Sequence, residues 1–381
     1  MKKKMAEPEL ERILSRLSWR FSIIRMTPDR TEELHSFLRR AYVDQPGAAF
    51  RDPDRAIAHW RWVDELNPPS GGEGSIGWVC LKNDRIVGYF GILPAIAHVQ
   101  GQHIPICWGR DLIGAPETRG AGVGPLLISA AVRESQKPFL IAGLNEVSYS
   151  LFRRMGFLDL GKIPLYIKVY HPGRFANSFG WPGWVRQAAA MSIQVAQDLR
   201  TSRSRVRGDG VSFKVLEQFD GRFDRLWERL EPSFPCTVSR DNATMNWRYF
   251  RHPRYRYTVL VAVQDSLWKG VAVVRYGRSR GLAAGFITEL LADPRDQSVI
   301  TVLLREAEEF LVRSAPEPLV LIRCAVLHRA FEQALVRAGF FRIPSPLHWM
   351  MTSAVGPEAL QLFTRRKDWL LNGGDSDLDA I

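Results

Sequence analysis

The 381-residue sequence contains no Cys-x-x-Cys pair, and its four cysteines, at 80, 107, 236 and 324, are widely scattered. That spacing excludes a zinc ribbon, a thioredoxin-like redox motif and a disulfide-stapled framework, and no metal is implied. Scattered single thiols fit a reducing, cytoplasmic compartment. Long apolar runs are also missing. The longest uncharged stretch, 86–109, is broken by Pro94, Gly101 and Pro105 and carries two His and two Gln. It reads as strands around a turn at Gln100-Gly101, not as a membrane span. Near the N-terminus, Lys2, Lys3 and Lys4 are followed by Glu7, Glu9 and Glu11, where the apolar core of a secretory leader would stand. What remains is globular: 46% hydrophobic and 24% charged residues, in a chain long enough for two domains.

The net charge of +12 has no single seat. Residues 1–20 carry +3, 21–170 carry +2, 171–210 carry +4 and 211–381 carry +3. A nucleic-acid-binding domain concentrates its charge on one face or helix, so no specific nucleic-acid partner is expected.

Two stretches of the chain repeat the same order of patterns. Phe21–Met26 alternates like a strand and leads into a helical pattern at 31–41; Val211–Leu216 alternates likewise and leads into one at 222–230. Ala58-His-Trp-Arg-Trp62 is echoed by Met245-Asn-Trp-Arg-Tyr249, Asp111–Pro116 by Glu289–Pro294, and Met155-Gly-Phe157 by Ala338-Gly-Phe340. These matches in one order point to a duplicated domain. Strands are predicted near 76–81, 86–92, 95–100, 103–113 and 138–143, and helices over 124–135 and 147–155. The boundaries read as a tail 1–20, a first domain 21–170, a basic linker 171–210 with a helix over 185–199, a second domain 211–370 and a tail 371–381. Trp60, Trp62, Trp247 and Tyr249 read first as core packing repeated by duplication, with stacking on a flat substrate as the alternative. Arg200, Arg203, Arg205 and Arg207 read as a solvated linker; Trp181 and Trp184 beside them leave a weak membrane-surface contact open.

The sharpest local signal is Arg119-Gly120-Ala121-Gly122-Val123-Gly124, between an apolar strand and an amphipathic helix. Glycines there allow positive φ and close approach of a ligand to the backbone. N–H groups at a helix start favour an anion, and Arg119 adds a full charge. The loop lacks the Gly-Lys-Ser/Thr ending of a Walker A motif and the setting of a dinucleotide fold.

Arg119-x-x-Gly122-x-Gly124 resembles the cofactor loop of the GNAT superfamily of N-acetyltransferases. The strand 138–143, Asn145 and the helix ending in Gly156-Phe157 resemble that family's next motif. The resemblance covers about residues 21–170. It implies an α/β (α+β) fold of two tandem GNAT-like domains, each a mixed, mostly antiparallel sheet flanked by helices. Acetyl-CoA, or another acyl-CoA, is the implied cosubstrate. Its pyrophosphate would lie on Arg119, Gly120, Ala121, Gly122, Val123 and Gly124, and its pantetheine arm along Leu112, Ile113, Gly114 and Asn145, with Phe152 alongside. Asn145 also reads as a helix N-cap. Asp111 is the implied base for the acceptor amine, with pairing to Arg110 as the alternative. Phe152 stands where many members have a tyrosine acid; Tyr149, one turn earlier, is the substitute candidate, with a packed aromatic as the alternative.

The second half lacks the loop. Anchored on Pro294, Gln297 falls at Arg119, and Ile300 and Val302 fall at Gly122 and Gly124. It reads as a degenerate domain that shapes the acceptor site or serves as scaffold. The implied activity is transfer of an acyl group to a small amine or amino sugar, with surface-polysaccharide metabolism as the setting of similar tandem proteins. A protein lysine acyltransferase and a non-catalytic acyl-CoA-binding module are the alternatives. The sequence leaves the oligomeric state open.

Overall fold

The alternating segment Ser22–Arg25 forms β1, antiparallel to β2 (Gly77–Lys82). The computed structural model describes residues 20–42, 52–70, 77–180, 182–201, 210–352 and 357–376. Trp181, Arg203, Arg205, Arg207, the side chains of Trp60 and Arg200, and tail residues 1–19 and 377–381 lie outside the described residues.

The first half continues with α1 (Thr31–Ala41), α2 (Pro53–Asp64), β3 (Arg85–Val99), β4 (Gln102–Gly114), α3 (Val123–Ser135), β5 (Phe139–Leu144), α4 (Glu146–Arg154), β6 (Leu158–Lys162) and β7 (Leu165–Val169). Helices α5 (Pro172–Asn177) and α6 (Gly183–Thr201) follow. The second half runs β8 (Ser212–Leu216), α7 (Gly221–Leu230), β9 (Cys236–Val238) and α8 (Asn242–Met245), which passes into a π-helical turn, Asn246–Phe250. Then come β10 (Tyr257–Gln264), β11 (Leu267–Ser279), β12 (Leu282–Ala292), α9 (Gln297–Arg313), β13 (Leu321–Leu327), α10 (Arg329–Arg337), β14 (Phe341–Ile343), β15 (His348–Met351), α11 (Pro357–Phe363) and β16 (Trp369–Asn372).

Two expected strands, 86–92 and 95–100, are one, because Pro94 does not interrupt β3. β2 pairs with β3 only as far as Gly91, and β9 joins it at Ala97. Pro94 falls in the interval, where a missing N–H costs no ladder bond.

Both halves build a mixed sheet around one parallel pair, β4 with β5 and β12 with β13. Their flanking neighbours β3, β11 and β10 join antiparallel. The last helix of each parallel unit ends alike. Gly156 (φ 88°) and Gly339 (φ 91°) turn the chain in the left-handed region. Phe157 N–H then returns to Phe152 O and Phe340 N–H to Leu335 O, the bond pattern of a glycine C-cap.

The halves exchange strands. β15, from the second half, pairs antiparallel with both β5 and β6 of the first. β7, from the first half, pairs antiparallel with both β13 and β14 of the second. Trp349, Met350 and Met351 of β15 are fully buried in the first half's sheet. Residues 165–169 and 348–351 therefore lie across the boundaries read from the sequence. A boundary drawn by sequence order cannot register a strand that is contributed to the other sheet. β9 and β16, joined in parallel, link the two sheets into one continuous path.

Candidate functional site

In the first half, β4 and β5 pair at Cys107–Phe139, Trp108–Leu140 and Gly109–Ile141, and there the parallel ladder ends. Past Gly109, β4 keeps β3 on one side, with Tyr89 opposite Ile113 and Gly88 opposite Gly114. On its other side β5 turns away to pair with β15 as far as Leu144. A bulge lies in β4 between the Gly91–Arg110 and Tyr89–Ile113 pairs, and Asp111 within it has a left-handed φ of 52°. The result is a wedge between two strand ends, floored by the backbone of residues 110–114.

The loop 115–122 leads from that wedge into α3. Ala115 N–H bonds to Val87 O, and the Thr118 hydroxyl to Ala115 O, which pins the start of the loop. Gly120 (φ 79°) and Gly122 (φ 87°) both occupy the left-handed region. A Cβ added at Gly120 would meet nothing within 4 Å, so its surface is open. Gly122 is the N-cap of α3 and makes no side-chain cap bond. Pro125 in the first turn has no N–H, which leaves Val123 and Gly124 as the first-turn donors. Arg119 and Gly120 are exposed, whereas Val123 is buried against Gly88. Gly124 does a different job, since a Cβ there would stand 3.1 Å from Leu151 of α4.

Asp111 is half-buried and already partnered. Its Oδ2 accepts from Arg110 Nη1 at 2.6 Å, and its Oδ1 accepts from the Tyr42 hydroxyl at 3.3 Å. Arg110 Nη1 also lies 3.2 Å from His59 Nε2. Because a guanidinium only donates, that nitrogen of His59 is the acceptor. Burial pulls the His59 imidazole well below its ordinary value, helped by Arg110, Arg254 and Arg248, so it is neutral. Burial and the Asp111 charge hold the Tyr42 hydroxyl far above the usual phenol range. The pairing of Asp111 with Arg110 is thus present. Tyr42 and His59 were missed; Tyr42 caps the C-terminus of α1 and His59 lies on α2, and no local motif marks them.

The other expected residues divide. Leu112 and Ile113 are half-buried and Gly114 is exposed along the wedge. Asn145 caps α4, its Oδ1 accepting from Ser148 N at 2.9 Å, and it stays exposed at the mouth. Tyr149 donates its hydroxyl to Asp159 Oδ2 at 2.6 Å, and its ring lies 4.2 Å from that of His348. That bond keeps its proton and raises its pKa. Phe152 is fully buried, with its ring against Phe90 and Phe157. A side chain with no exposed surface cannot line a cofactor, so Phe152 supports the core behind the loop instead.

The second half shows what closes such a wedge. Only residues 293–296 separate β12 from α9, where 115–122 separate β4 from α3. Gln297 therefore matches Val123 at the helix start and not Arg119; the loop is missing, rather than replaced residue by residue. Asp296 caps α9 by accepting from Val299 N at 3.0 Å, which places a carboxylate where an anion would sit. Past Ile287 and Cys324 the parallel pair parts, and β16 fills the gap by pairing with β13 at Val326 and Leu327. Gly374 N–H bonds to Thr288 O, beside the bulge that β12 shares with β4. Glu289, the counterpart of Asp111, accepts from Arg240 Nε at 2.9 Å, Tyr249 at 2.7 Å and Asn372 at 2.6 Å. Arg240 also donates to Asp375 at 2.5 Å. Glu289, Arg240, Tyr249 and Asp375 border a cavity of about 240 Å³ between the halves, whose apolar wall includes Leu93, Trp108 and Trp247.

No family model and no curated protein matches the sequence. Among solved structures, the chain is similar to a GCN5-related N-acetyltransferase from Anabaena variabilis, with a TM-score of 0.60 and 15% identity over 90% of this chain and 75% of that one. It is also similar to Saccharomyces cerevisiae N-myristoyltransferase with bound myristoyl-CoA, with a TM-score of 0.54 and 12% identity over 87% and 79%. A GCN5-related N-acetyltransferase from Kribbella flavida gives a TM-score of 0.53 and 16% identity over 87% and 70%. The chain thus has the GNAT fold, a mixed α/β architecture with helices flanking a large sheet.

Proposed function

We propose that the protein is an acyl-CoA-dependent N-acyltransferase whose first half holds the cofactor. The observation that carries this reading is the contrast between the two wedges. Among the described residues, no strand pairs into the one at β4 and β5, which ends on a helix start without a side-chain cap beside Arg119. The one at β12 and β13 is filled by β16 and ends on a carboxylate cap. Among the described residues, only the first has the space and the donors for a pyrophosphate with a thioester arm.

In this reading the pyrophosphate lies on Arg119 and the N–H groups of Gly120, Gly122, Val123 and Gly124. The pantetheine arm follows Leu112, Ile113 and Gly114, passing Asn145. Donors along the bulged backbone of β4 would stabilise the oxyanion as the amine attacks the thioester carbon. Asp111, ionised in its bond to Arg110, attracts the ammonium of the acceptor and takes its proton before attack. The His59–Arg110 contact fixes the guanidinium and so the carboxylate. Tyr149 is bound to Asp159, so the departing thiolate leaves as such or takes a proton from water; a thiol pKa of about 8.5 allows this near neutral pH.

The acceptor proposed is a small amine or amino sugar, and acetyl is the proposed acyl group. The N-myristoyltransferase among the solved structures carries myristoyl-CoA, which makes acyl chain length the first variable to test. The assay is release of CoA thiol from acetyl-, octanoyl- and myristoyl-CoA against a panel of amines, amino sugars and lysine peptides. Turnover with an amine or amino sugar supports the reading. Turnover with lysine peptides alone moves it to protein acylation. CoA binding without turnover on any of them leaves a binding module.

A further inference from the structure

Five cations from distant parts of the sequence meet in one cleft at the boundary of the halves. Lys162 ends β6 of the first half. Arg329 opens α10, Arg342 lies on β14, and Arg366 and Lys367 stand in the 3₁₀ turn Arg366–Asp368 that leads into β16. All five line a cavity of about 530 Å³, floored by Pro164, Leu327 and Trp369. Charge counted along the sequence hides this cluster, because strand exchange assembles it. The chain leaves β6 at Lys162 and enters β7, which crosses to pair with β13 and β14.

The cleft is built around Arg366. Its half-buried guanidinium donates to two carbonyls, Leu160 O at 3.1 Å and Lys162 O. It packs over Gly161 (φ 92°), where a Cβ would collide with Nη1. Carbonyls fix the side chain and leave its full charge in place. Burial pulls the guanidinium below its ordinary value, with Glu332 and Asp159 opposing this and Arg342 adding to it. Lys162, Arg329, Arg342 and Lys367 are exposed, and among the described residues none has a carboxylate within ion-pair distance. Glu332, the carboxylate that lines the cleft, accepts from the Tyr166 hydroxyl at 2.7 Å. His328 also lines it and is neutral near pH 7, because burial lowers its imidazole to about 4. The cleft therefore holds five cations against one carboxylate, an excess of four. Protein surfaces ordinarily intersperse the two signs. The start of α10 borders the same space, and its dipole also favours negative charge there.

Size and charge set the class of ligand. Small-molecule sites span about 300–1,000 Å³, and this cleft falls within that range. A phosphate monoester carries about −1.5 to −2 near neutral pH, so two phosphate groups balance the excess. Arginine forks fit phosphate oxygens, and lysines add point charges. A single-stranded nucleic acid takes a charged groove that tracks its backbone, whereas these five side chains converge on one space. The cleft shares no residue with the wedge at 110–114, the loop 115–124 or Asn145.

We propose that this cleft binds a small molecule carrying two phosphate groups, held by Arg329, Arg342 and Arg366 with Lys162 and Lys367 at the rim. It is a second site, and the inference does not rest on the acyl-transfer reading.

The test is calorimetry of the full-length protein with inorganic pyrophosphate at fixed ionic strength. Wild type should bind pyrophosphate at least about tenfold more tightly than orthophosphate. Arg342→Glu combined with Lys367→Glu should weaken pyrophosphate binding by at least about tenfold. Both positions are exposed, and an unchanged melting temperature without ligand verifies the fold. Gly122→Val, in the loop proposed for CoA, should bind pyrophosphate in this cleft as wild type does. No binding by wild type overturns the proposal, as does undiminished binding by the double variant. Binding lost in Gly122→Val and kept in the double variant would place the phosphates on the α3 loop and overturn it. A single-stranded oligonucleotide held more tightly than pyrophosphate, and released by the double variant, would assign the cleft to a polymer and also overturn it.

Discussion

The indoles of Trp62 and Trp247 stack across the centre of the molecule, 4.3 Å apart and within 9° of parallel. Trp62 Nε1 donates to the Trp247 carbonyl at 2.9 Å, and Trp247 Nε1 donates back to the Trp62 carbonyl at 2.5 Å. Two residues that exchange the same bond in both directions sit about a local twofold axis. The matching position of Trp247 is therefore Trp62, not Trp60 as the sequence echo suggests. The aromatics serve as packing, and both rings are almost wholly buried. Trp62→Ala and Trp247→Ala should each destabilise the fold by about 3–5 kcal/mol, and the double variant by much less than their sum. Urea unfolding of the three variants measures this. Full additivity would mean that the pair does not act as a unit.

Gly122→Val should weaken CoA binding by at least about tenfold, because a β-branched residue resists a φ of 87° and covers the helix start. Asp296→Gly in the second half should create no new site, since β16 still fills that wedge. Calorimetry on both variants checks the pair; two CoA molecules per chain would contradict the assignment.

Asp111→Asn keeps the shape of the bulge and removes the charge. Turnover should fall by about 10²–10⁴-fold with CoA affinity nearly unchanged. Tyr42→Phe, which removes one hydrogen bond to the same carboxylate, should fall less. Steady-state kinetics at saturating acyl-CoA separates them, and a normal rate in Asp111→Asn would pass the proton to water.

Asp375→Ala leaves Arg240 with one carboxylate in a site where it is only 2% exposed. Stripping a partner from a buried pair costs about 3–5 kcal/mol, so this exposed-looking tail position should behave as core. A fall in melting temperature with CoA binding retained would verify it.

Acid should loosen the molecule through buried histidines. Burial lowers the His328 imidazole from its ordinary value to about 4, and His59 moves the same way. The unfolded chain then binds more protons, so this stability is complete above about pH 6.5 and is lost as pH falls toward the folded value. His328→Gln should flatten the stability profile between about pH 4 and 6.5, as measured by melting temperature against pH.

Much of this was legible because its signals are local. A glycine loop between strand and helix, Gly-Phe after a helix, and alternation at Ser22–Arg25 each specify nearby backbone. The repeat also survived in order. What escaped depends on residues far apart. Nothing local in His348–Met351 says which sheet it enters, and nothing in Gly374-Asp375 says that it closes a wedge around Glu289. Tyr42 reaches Asp111, and His59 reaches Arg110, only once the helices fold over the sheet. Phe152 was misassigned because a position inherited from a motif does not report burial.

Exchange of β7 and β15 has a consequence for how the two halves stay together. Two separate polypeptides trading these strands would form a swapped dimer, held only above some protein concentration. On one chain the trade is intramolecular, and dilution cannot undo it. A chain cut after Arg203 would lose the strand between β5 and β6 and should be insoluble, whereas both fragments expressed together should reassemble. Tethering also frees the partners from identity. One copy could let its loop go and fill its own wedge, while the other kept the opening and borrowed its sibling's strand to hold it in shape.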